Sequence, residues 1–182
     1  MIEKYALFKV FAHLRNTREK ESVRSLARKA KIGVSTAKHC LDYLFEKDIV
    51  KKQVFGRMYQ FEINNENILA RQFKITMTVA ELEDSGLVKE LLQEYPSILS
   101  IVLFGSAASG RDSSASDIDI LIIASKEIKI IPLKAEKRLK REVSIIKYAY
   151  TGWKRKARND KVFYEKIITE GIALYGELPI VV

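Results

Sequence analysis

At 182 residues the chain is long enough for one large domain or two small ones, and with 47% hydrophobic and 30% charged residues it is an ordinary globular chain, which excludes a disordered one. A single cysteine, Cys40, excludes an internal disulfide framework, and the longest apolar runs, such as residues 118–124, are interrupted by acids and too short to cross a bilayer. The net charge of +9 is unevenly spread: residues 1–75 hold 16 Lys and Arg against 8 Asp and Glu, while the remaining 107 residues hold 16 against 15, so the first segment is the one suited to a polyanion.

The opening Met1-Ile2-Glu3-Lys4 lacks the basic and apolar stretches of a secretion signal, so a cytoplasmic protein without membrane association is expected. Residues 1–15 read as a helix with two apolar stripes, one at Tyr5, Phe8, Phe11 and Ala12 and another at Leu7, Val10 and Leu14. Two stripes exceed what a small core needs, and the surplus points to a homodimer contact through this helix. Residues 22–30 form a second helical segment, with Val23, Leu26, Ala27 and Ala30 on one side. Gly33 is suited to a tight turn with positive φ. Ser35 is placed to cap a third helix that buries Ala37, Leu41 and Leu44. Two alternating segments, 49–55 and 58–63, flank Gly56-Arg57 and read as a hairpin.

The order helix, helix, turn, helix, hairpin resembles the winged helix-turn-helix proteins over residues 1–66. The resemblance rests on Ser22-Val23-Arg24-Ser25-Leu26-Ala27, Gly33-Val34-Ser35-Thr36-Ala37, Leu41-Asp42-Tyr43-Leu44, Ile49-Val50 and Gly56-Arg57. It implies double-stranded DNA as a partner, with the third helix in the major groove. Ser35, Thr36, Lys38 and His39 would then meet base edges or phosphates, with Asp42 one turn on, and Lys51, Lys52 and Arg57 would lie on or beside the wing. Arg24, Arg28 and Lys29 are candidates for backbone contacts. The competing reading is a protein-binding winged helix with solvated charges. His39 has no metal-ligand partner at suitable spacing, and Cys40 reads as a packing residue.

Asn64 to Asn67 is a polar break, followed by a bridging helix over 67–73 and a longer one over 79–95 that Pro96 ends, so residues 67–96 are expected to link two domains. Beyond them, 98–104, 118–124 and 143–148 read as apolar strands, 133–140 and 159–170 as helices, and 172–175 as a short apolar segment.

The segments Ile101-Val102-Leu103-Phe104-Gly105-Ser106, Gly110-Arg111 and Ser116-Asp117-Ile118-Asp119-Ile120-Leu121 carry the most specific pattern. Asp117 and Asp119 stand two apart on a strand, so both carboxylates project from one face while Ile118 and Ile120 face the core. Paired carboxylates suit Mg²⁺, which takes a few carboxylate oxygens together with substrate phosphates. Gly105 lets the backbone approach a triphosphate closely, and Ser106 offers a hydroxyl and an amide.

This pattern resembles the signature of the polymerase-β nucleotidyltransferase superfamily, and in particular its minimal nucleotidyltransferases. The resemblance implies an α+β chain whose residues 97–182 fold as a small mixed sheet flanked by helices. It implies Mg²⁺ (or Mn²⁺) and ATP or another nucleoside triphosphate. Asp117 and Asp119 would be catalytic metal ligands, and Gly105, Ser106, Arg111 and Ser116 would be nucleotide-binding residues. A third carboxylate is expected from the next strand, where the pattern puts Ser144. Glu142, two residues earlier, is either that third catalytic and metal-binding acid or a surface residue at the strand entrance. Three outcomes follow: a DNA-binding regulator that transfers AMP to an unknown hydroxyl, a catalytically inactive nucleotide sensor, or an antitoxin that adenylylates a HEPN-type ribonuclease partner. Of the basic residues beyond Lys126, Lys134, Lys137, Arg138, Lys140 and Arg141 read as the solvated face of a helix. Lys154, Arg155, Lys156 and Arg158 are either solvated or phosphate-binding.

Overall fold

A computed structural model describes residues 5–17, 19–56, 58–139 and 141–181. The chain divides into two compact units, Met1–Met77 and Thr78–Val182.

In the first unit, α1 (Ala6–Arg15) packs with α2 (Val23–Ala30) and α3 (Val34–Glu46) over a core of Val10, Phe11, Leu26, Leu41, Leu44 and Phe61. Residues 1–4, assigned from sequence to the first helix, lie outside the described residues. Both apolar stripes of α1 are used within the unit: Leu7 packs against the core, and Phe8 and Phe11 both meet Phe73, with ring centroids 5.6 and 5.5 Å apart. Tyr5, at the head of the first stripe, stays exposed, so this packing covers only part of the surface that pointed to a homodimer contact.

Ser22 caps α2, its hydroxyl accepting the Ser25 N–H at 3.2 Å. The positive φ expected at Gly33 falls instead on Lys31 (φ 52°), where the Ile32 N–H reaches back to the Ala27 carbonyl at 3.0 Å. That closing bond, together with the packing of Ile32 on the core, offsets the cost of a non-glycine residue in the left-handed region. Gly33, with φ −62°, is itself the N-cap of α3, and Ser35 lies inside the helix. Asp48 (φ 55°) repeats the device after α3, with Ile49 N–H on the Leu44 carbonyl at 2.8 Å. The hairpin forms as expected, from β2 (Val50–Phe55) and β3 (Met58–Ile63). A two-residue strand, β1 (Glu21–Ser22), adds to the far side of β3, so β2 is an edge. Buried Asn64 donates to the Asp48 carbonyl and carboxylate at 3.0 Å, and the Asn67 side chain accepts the N–H groups of Leu69 and Ala70 at the start of α4 (Ile68–Ser85).

Two expected helices, 67–73 and 79–95, are differently divided. α4 runs without interruption to Ser85, and the break comes at Gly86 (φ 76°), after which α5 (Leu87–Glu94) begins. Ala70 and Met77 belong to the core of the first unit, Leu82, Leu87 and Leu91 to that of the second.

The second unit is built on a four-stranded mixed sheet in the order β6-β5-β4-β7: β4 (Ile98–Phe104), β5 (Ile118–Ala124), β6 (Val143–Ala149) and β7 (Ile172–Tyr175). Only β5 and β6 run parallel. Strand alternation sends Ile118, Ile120 and Ile122 to one face, against Leu82, Leu87 and Leu91, and Leu121 and Ile123 to the other, against Trp153 and Ile167. A short helix, α6 (Gly105–Ser109), follows β4 directly. The helix expected over 133–140 is reduced to one 3₁₀ turn, Ala135–Arg138, tied down by Glu90, whose carboxylate accepts the N–H groups of Lys134 and Ala135 at 2.8 Å. Lys140 lies outside the described residues. The helix expected over 159–170 forms as α8 (Lys161–Glu170), capped by Asp160 through Phe163 N–H at 3.1 Å, and a helix the sequence did not lead one to expect, α7 (Tyr150–Asn159), precedes it. The C-terminal segment is anchored by Trp153 Nε1, which donates to the Pro179 carbonyl at 2.7 Å, and by Ser100 Oγ on the Glu177 carbonyl at 2.6 Å. Among the described residues no helix is long and apolar enough to cross a membrane.

Candidate active site

The end of β4 and the start of β5 meet because the strands pair antiparallel, with Phe104 opposite Asp119. On its other side Asp119 is level with Ser144 of β6. Gly105 follows Phe104 at φ 74°, and a Cβ there would collide with the Asp119 carboxylate. Glycine is therefore favoured by the backbone conformation, and any side chain here would have to displace the Asp119 carboxylate.

Asp119 is half-buried at the end of the apolar face formed by Leu121, Ile123 and Phe104. Burial holds its pKa above the ordinary carboxylate value, and the neighbouring charge of Asp117 adds to the rise, while Lys166 and Arg141 oppose it. Asp117 is exposed, one residue before β5. Two carboxylates that repel each other at the start of a central strand, with cations near them, form a site whose ionised state a further cation stabilises.

The remaining expected site residues are distributed around this pair. Ser106, half-buried, lies in the first turn of α6, and its carbonyl accepts the Arg111 N–H at 3.0 Å. Arg111 is exposed. The Ser116 hydroxyl is engaged in a local turn, accepting the Ser113 N–H at 3.0 Å and lying 3.1 Å from the Ser113 hydroxyl. Glu142 is exposed just before β6, and its carbonyl accepts the Ile118 N–H at 2.9 Å, so it stands level with Asp117. Among the described residues no three His, Cys, Asp or Glu side chains gather where they hold a metal ion.

Two further basic residues bear on the site: Lys166, which the sequence did not single out, and Arg141, expected on a solvated helix face. Lys166 of α8 acts electrostatically on Asp119. Arg141 donates from Nε to the Ser116 carbonyl at 2.7 Å, from Nη1 to Asp112 at 2.6 Å and from Nη2 to the Asp117 carbonyl at 3.1 Å. Both belong to elements remote in sequence from the Asp-Ile-Asp motif, and no local signal marks them. Arg138 likewise leaves the solvated role, donating to the Ser85 carbonyl at 3.1 Å. In α7, Lys156 pairs with Asp160 at 2.7 Å and Lys154 lies over the Tyr150 ring, while Arg155 and Arg158 are exposed.

In the first unit Ser35, Thr36, Lys38 and His39 are all exposed along α3. Lys38 is paired with Asp42 one turn on, at 2.7 Å, and this bond holds the Asp42 carboxyl below its ordinary range. Lys51 is exposed on β2, whereas Lys52 lies over the Tyr59 ring at 4.0 Å and the Phe45 ring at 5.4 Å. Arg57, assigned to the wing, lies outside the described residues. Lys29 is bonded to Glu21, and Arg24 and Arg28 are exposed. Cys40 is half-buried against the core, which pushes its thiol pKa up and suits a packing role.

The chain belongs to the polymerase beta nucleotidyltransferase family, whose model matches residues 87–178, just over half of its length. It is similar to the solved structure of a toxin–antitoxin complex with AMP-PNP, at 26% identity and a TM-score of 0.38, over 50% of this chain and 71% of that one. Two mutant forms of the MntA–HpeT toxin–antitoxin pair are similar at 25% and 24% identity, each with a TM-score of 0.37, over 52% and 51% of this chain and 72% and 73% of those. No curated protein sequence matches the chain.

Proposed function

We propose that the C-terminal unit transfers the nucleotidyl group of Mg-ATP to an acceptor hydroxyl, and that the N-terminal unit is a winged helix-turn-helix that binds double-stranded DNA. The observation that carries the first part is the contact of Gly105 with the Asp119 carboxylate, which joins the Gly-Ser turn to the carboxylate strand as one site.

The donor set fits a divalent ion that arrives with its substrate. Asp117 and Asp119 supply two carboxylates, and Mg²⁺ commonly takes one or two such ligands and completes its shell with water and substrate phosphates. A bound ion supplies charge neutralisation for the attacking and leaving oxygens of an in-line displacement. The chain's own residues do the rest. Asp117 and Asp119 would hold the metal-bound triphosphate, Gly105 would leave room for its oxygens against the backbone, Ser106 and Arg111 would bind them, and Lys166 would add positive charge beside Asp119.

A second reading, in which the site senses nucleotide without transfer, is favoured by Ser144 lying level with Asp119 and by the absence of a three-acid cluster among the described residues. Glu142, level with Asp117, is the residue that decides between them. For the N-terminal unit, support comes from the exposed run Ser35, Thr36, Lys38 and His39 on α3, the hairpin beyond it, and the +8 charge of residues 1–75.

The test is calorimetric titration of Mg-ATP into the wild type and Asp119→Ala, followed by incubation of each with α-labelled ATP and cell extract. Magnesium-dependent binding lost in the variant, with a labelled acceptor, establishes the transferase. Labelling of a partner ribonuclease selects the antitoxin role, and labelling of a small molecule or nucleic acid end excludes it. Binding without any labelling establishes the sensor.

A further inference from the structure

Segment 112–117 carries Asp117 into the site, yet it has no regular secondary structure and few local bonds: the Ser113–Ser116 turn closes it on itself. One side chain from the entrance of β6 binds it at three points. Arg141 uses three different nitrogens on three acceptors of this segment, the carbonyls of Ser116 and Asp117 and the carboxylate of Asp112. The next residue continues the stitching, the Glu142 carbonyl accepting from Ile118 N–H. The Arg141 and Asp112 side chains are 7% and 1% exposed, so their charges are held out of water, where a charge-assisted bond is directional and strong. Only a guanidinium offers a planar fork of five donors; a lysine ammonium reaches at most part of this set.

We propose that Arg141 is a positioning residue for the nucleotidyl-transfer site: by pinning both carbonyls that flank the start of the motif to the buried Asp112, it fixes the Asp117 carboxylate beside that of Asp119. The inference rests on the reading of these two aspartates as the metal-triphosphate ligands. The three bonds of Arg141 all go to protein acceptors. Arg141 acts through Asp117, as the partners that orient metal ligands do elsewhere.

The experiment uses the full chain with Mn²⁺ and ATP as probes. Mn²⁺ binding in the presence of ATP is followed by electron paramagnetic resonance for the wild type, Asp119→Ala, Arg141→Lys and Asp112→Asn, with urea unfolding run in parallel. Arg141→Lys keeps the charge and loses the fork. It is expected to weaken Mn²⁺ binding about tenfold or more, while metal-free ATP binding is unchanged. Asp112→Asn keeps both carbonyl bonds and loosens their anchor, giving a smaller loss in the same direction; it carries the test alone if Arg141→Lys does not fold. A lower unfolding midpoint with unchanged Mn²⁺ affinity in the folded variants assigns Arg141 a purely structural role and overturns the proposal. Failure of the wild type to bind Mn²⁺ in an Asp119-dependent way overturns the reading of the carboxylate pair, and this inference with it.

Discussion

On α3, Lys38 stands in water and holds Asp42 across one helical turn at 2.7 Å; on β5, Asp119 lies half-buried against Gly105 with a second carboxylate beside it. The first charge belongs to a flexible side chain on a regular helix, and its partner is another exposed side chain. The second is held on a strand paired on both sides, with a left-handed glycine against it. A surface that meets a polyanion tolerates such looseness, because phosphate contacts are many and each contributes little. A site that must hold two carboxylates on one metal-bound triphosphate does not. Substitutions in the C-terminal unit are therefore expected to act steeply, and those on α3 by degrees.

The largest effect is expected from Asp112→Ala. It leaves the Arg141 guanidinium without its buried carboxylate partner, and breaking such a pair costs about 4 kcal/mol. Urea unfolding reads the loss directly. A cost as small as that of an exposed ion pair would place the segment 112–117 with the adjustable surface of α3 rather than with the sheet.

Gly105→Ala follows, at about 3 kcal/mol, from a left-handed alanine and from overpacking against Asp119. The two parts separate in a double-mutant cycle. In an Asp119→Ala background the carboxylate is gone, and the cost of Gly105→Ala is expected to fall to about 1 kcal/mol, the conformational part alone. An unchanged cost would show that Asp119 moves aside freely, and the contrast with α3 would weaken.

These two positions also mark what the sequence discloses. Gly105, Asp117 and Asp119 are legible because they sit on or beside two continuous apolar strands whose bounds follow from Pro96, Gly105 and the alternation of Ile118 and Ile120. Arg141 is not, since its acceptors lie 24 to 29 residues away and its neighbours Lys137 and Arg138 read as a solvated helical run. α7 escapes notice because its buried face is a single i, i+4 pair, Trp153 and Ala157, in a run of otherwise mostly polar and basic residues. The break at Gly86 escapes for the opposite reason: apolar residues recur at helical spacing on both sides of it, and one left-handed glycine ends the helix without changing that period. At Lys31 a positive φ was hidden because the closing bonds of α2, not residue type, select it.

On the N-terminal unit the effects are smaller and graded. Lys38→Ala is expected to weaken binding to duplex DNA and to lower the slope of log affinity against log salt by about 1. Asp42→Ala acts in the opposite direction, since it frees Lys38 from its pair and removes a negative charge from the same face. Fluorescence anisotropy at several salt concentrations measures both. Equal affinities across wild type, Lys38→Ala and Asp42→Ala would assign α3 to a protein partner and leave its charges as solvent contacts.

The smallest effect is the most diagnostic, because its sign separates a ligand-ready site from a structural ion network. The pKa of Asp119 is raised in the folded chain, by burial first and by Asp117 second. Between its unfolded and folded pKa values the native state binds the additional proton, so stability falls as pH rises through that window. The cost is absent below the ordinary carboxylate range and complete above the raised value. Asp119→Asn removes it, and at neutral pH the metal-free variant is expected to be as stable as the wild type or more so, by less than about 1 kcal/mol, with the difference vanishing in acid. If the proposed site is right, Mg-ATP is expected to invert the order, since the ionised carboxylate is what would hold it: the wild type gains thermal stability, the variant does not, and the gain shrinks as pH falls through the raised pKa. A variant less stable than the wild type at neutral pH without ligand would mean that attraction to Lys166 and Arg141 outweighs burial and repulsion. Asp119 would then serve the fold before it serves a metal.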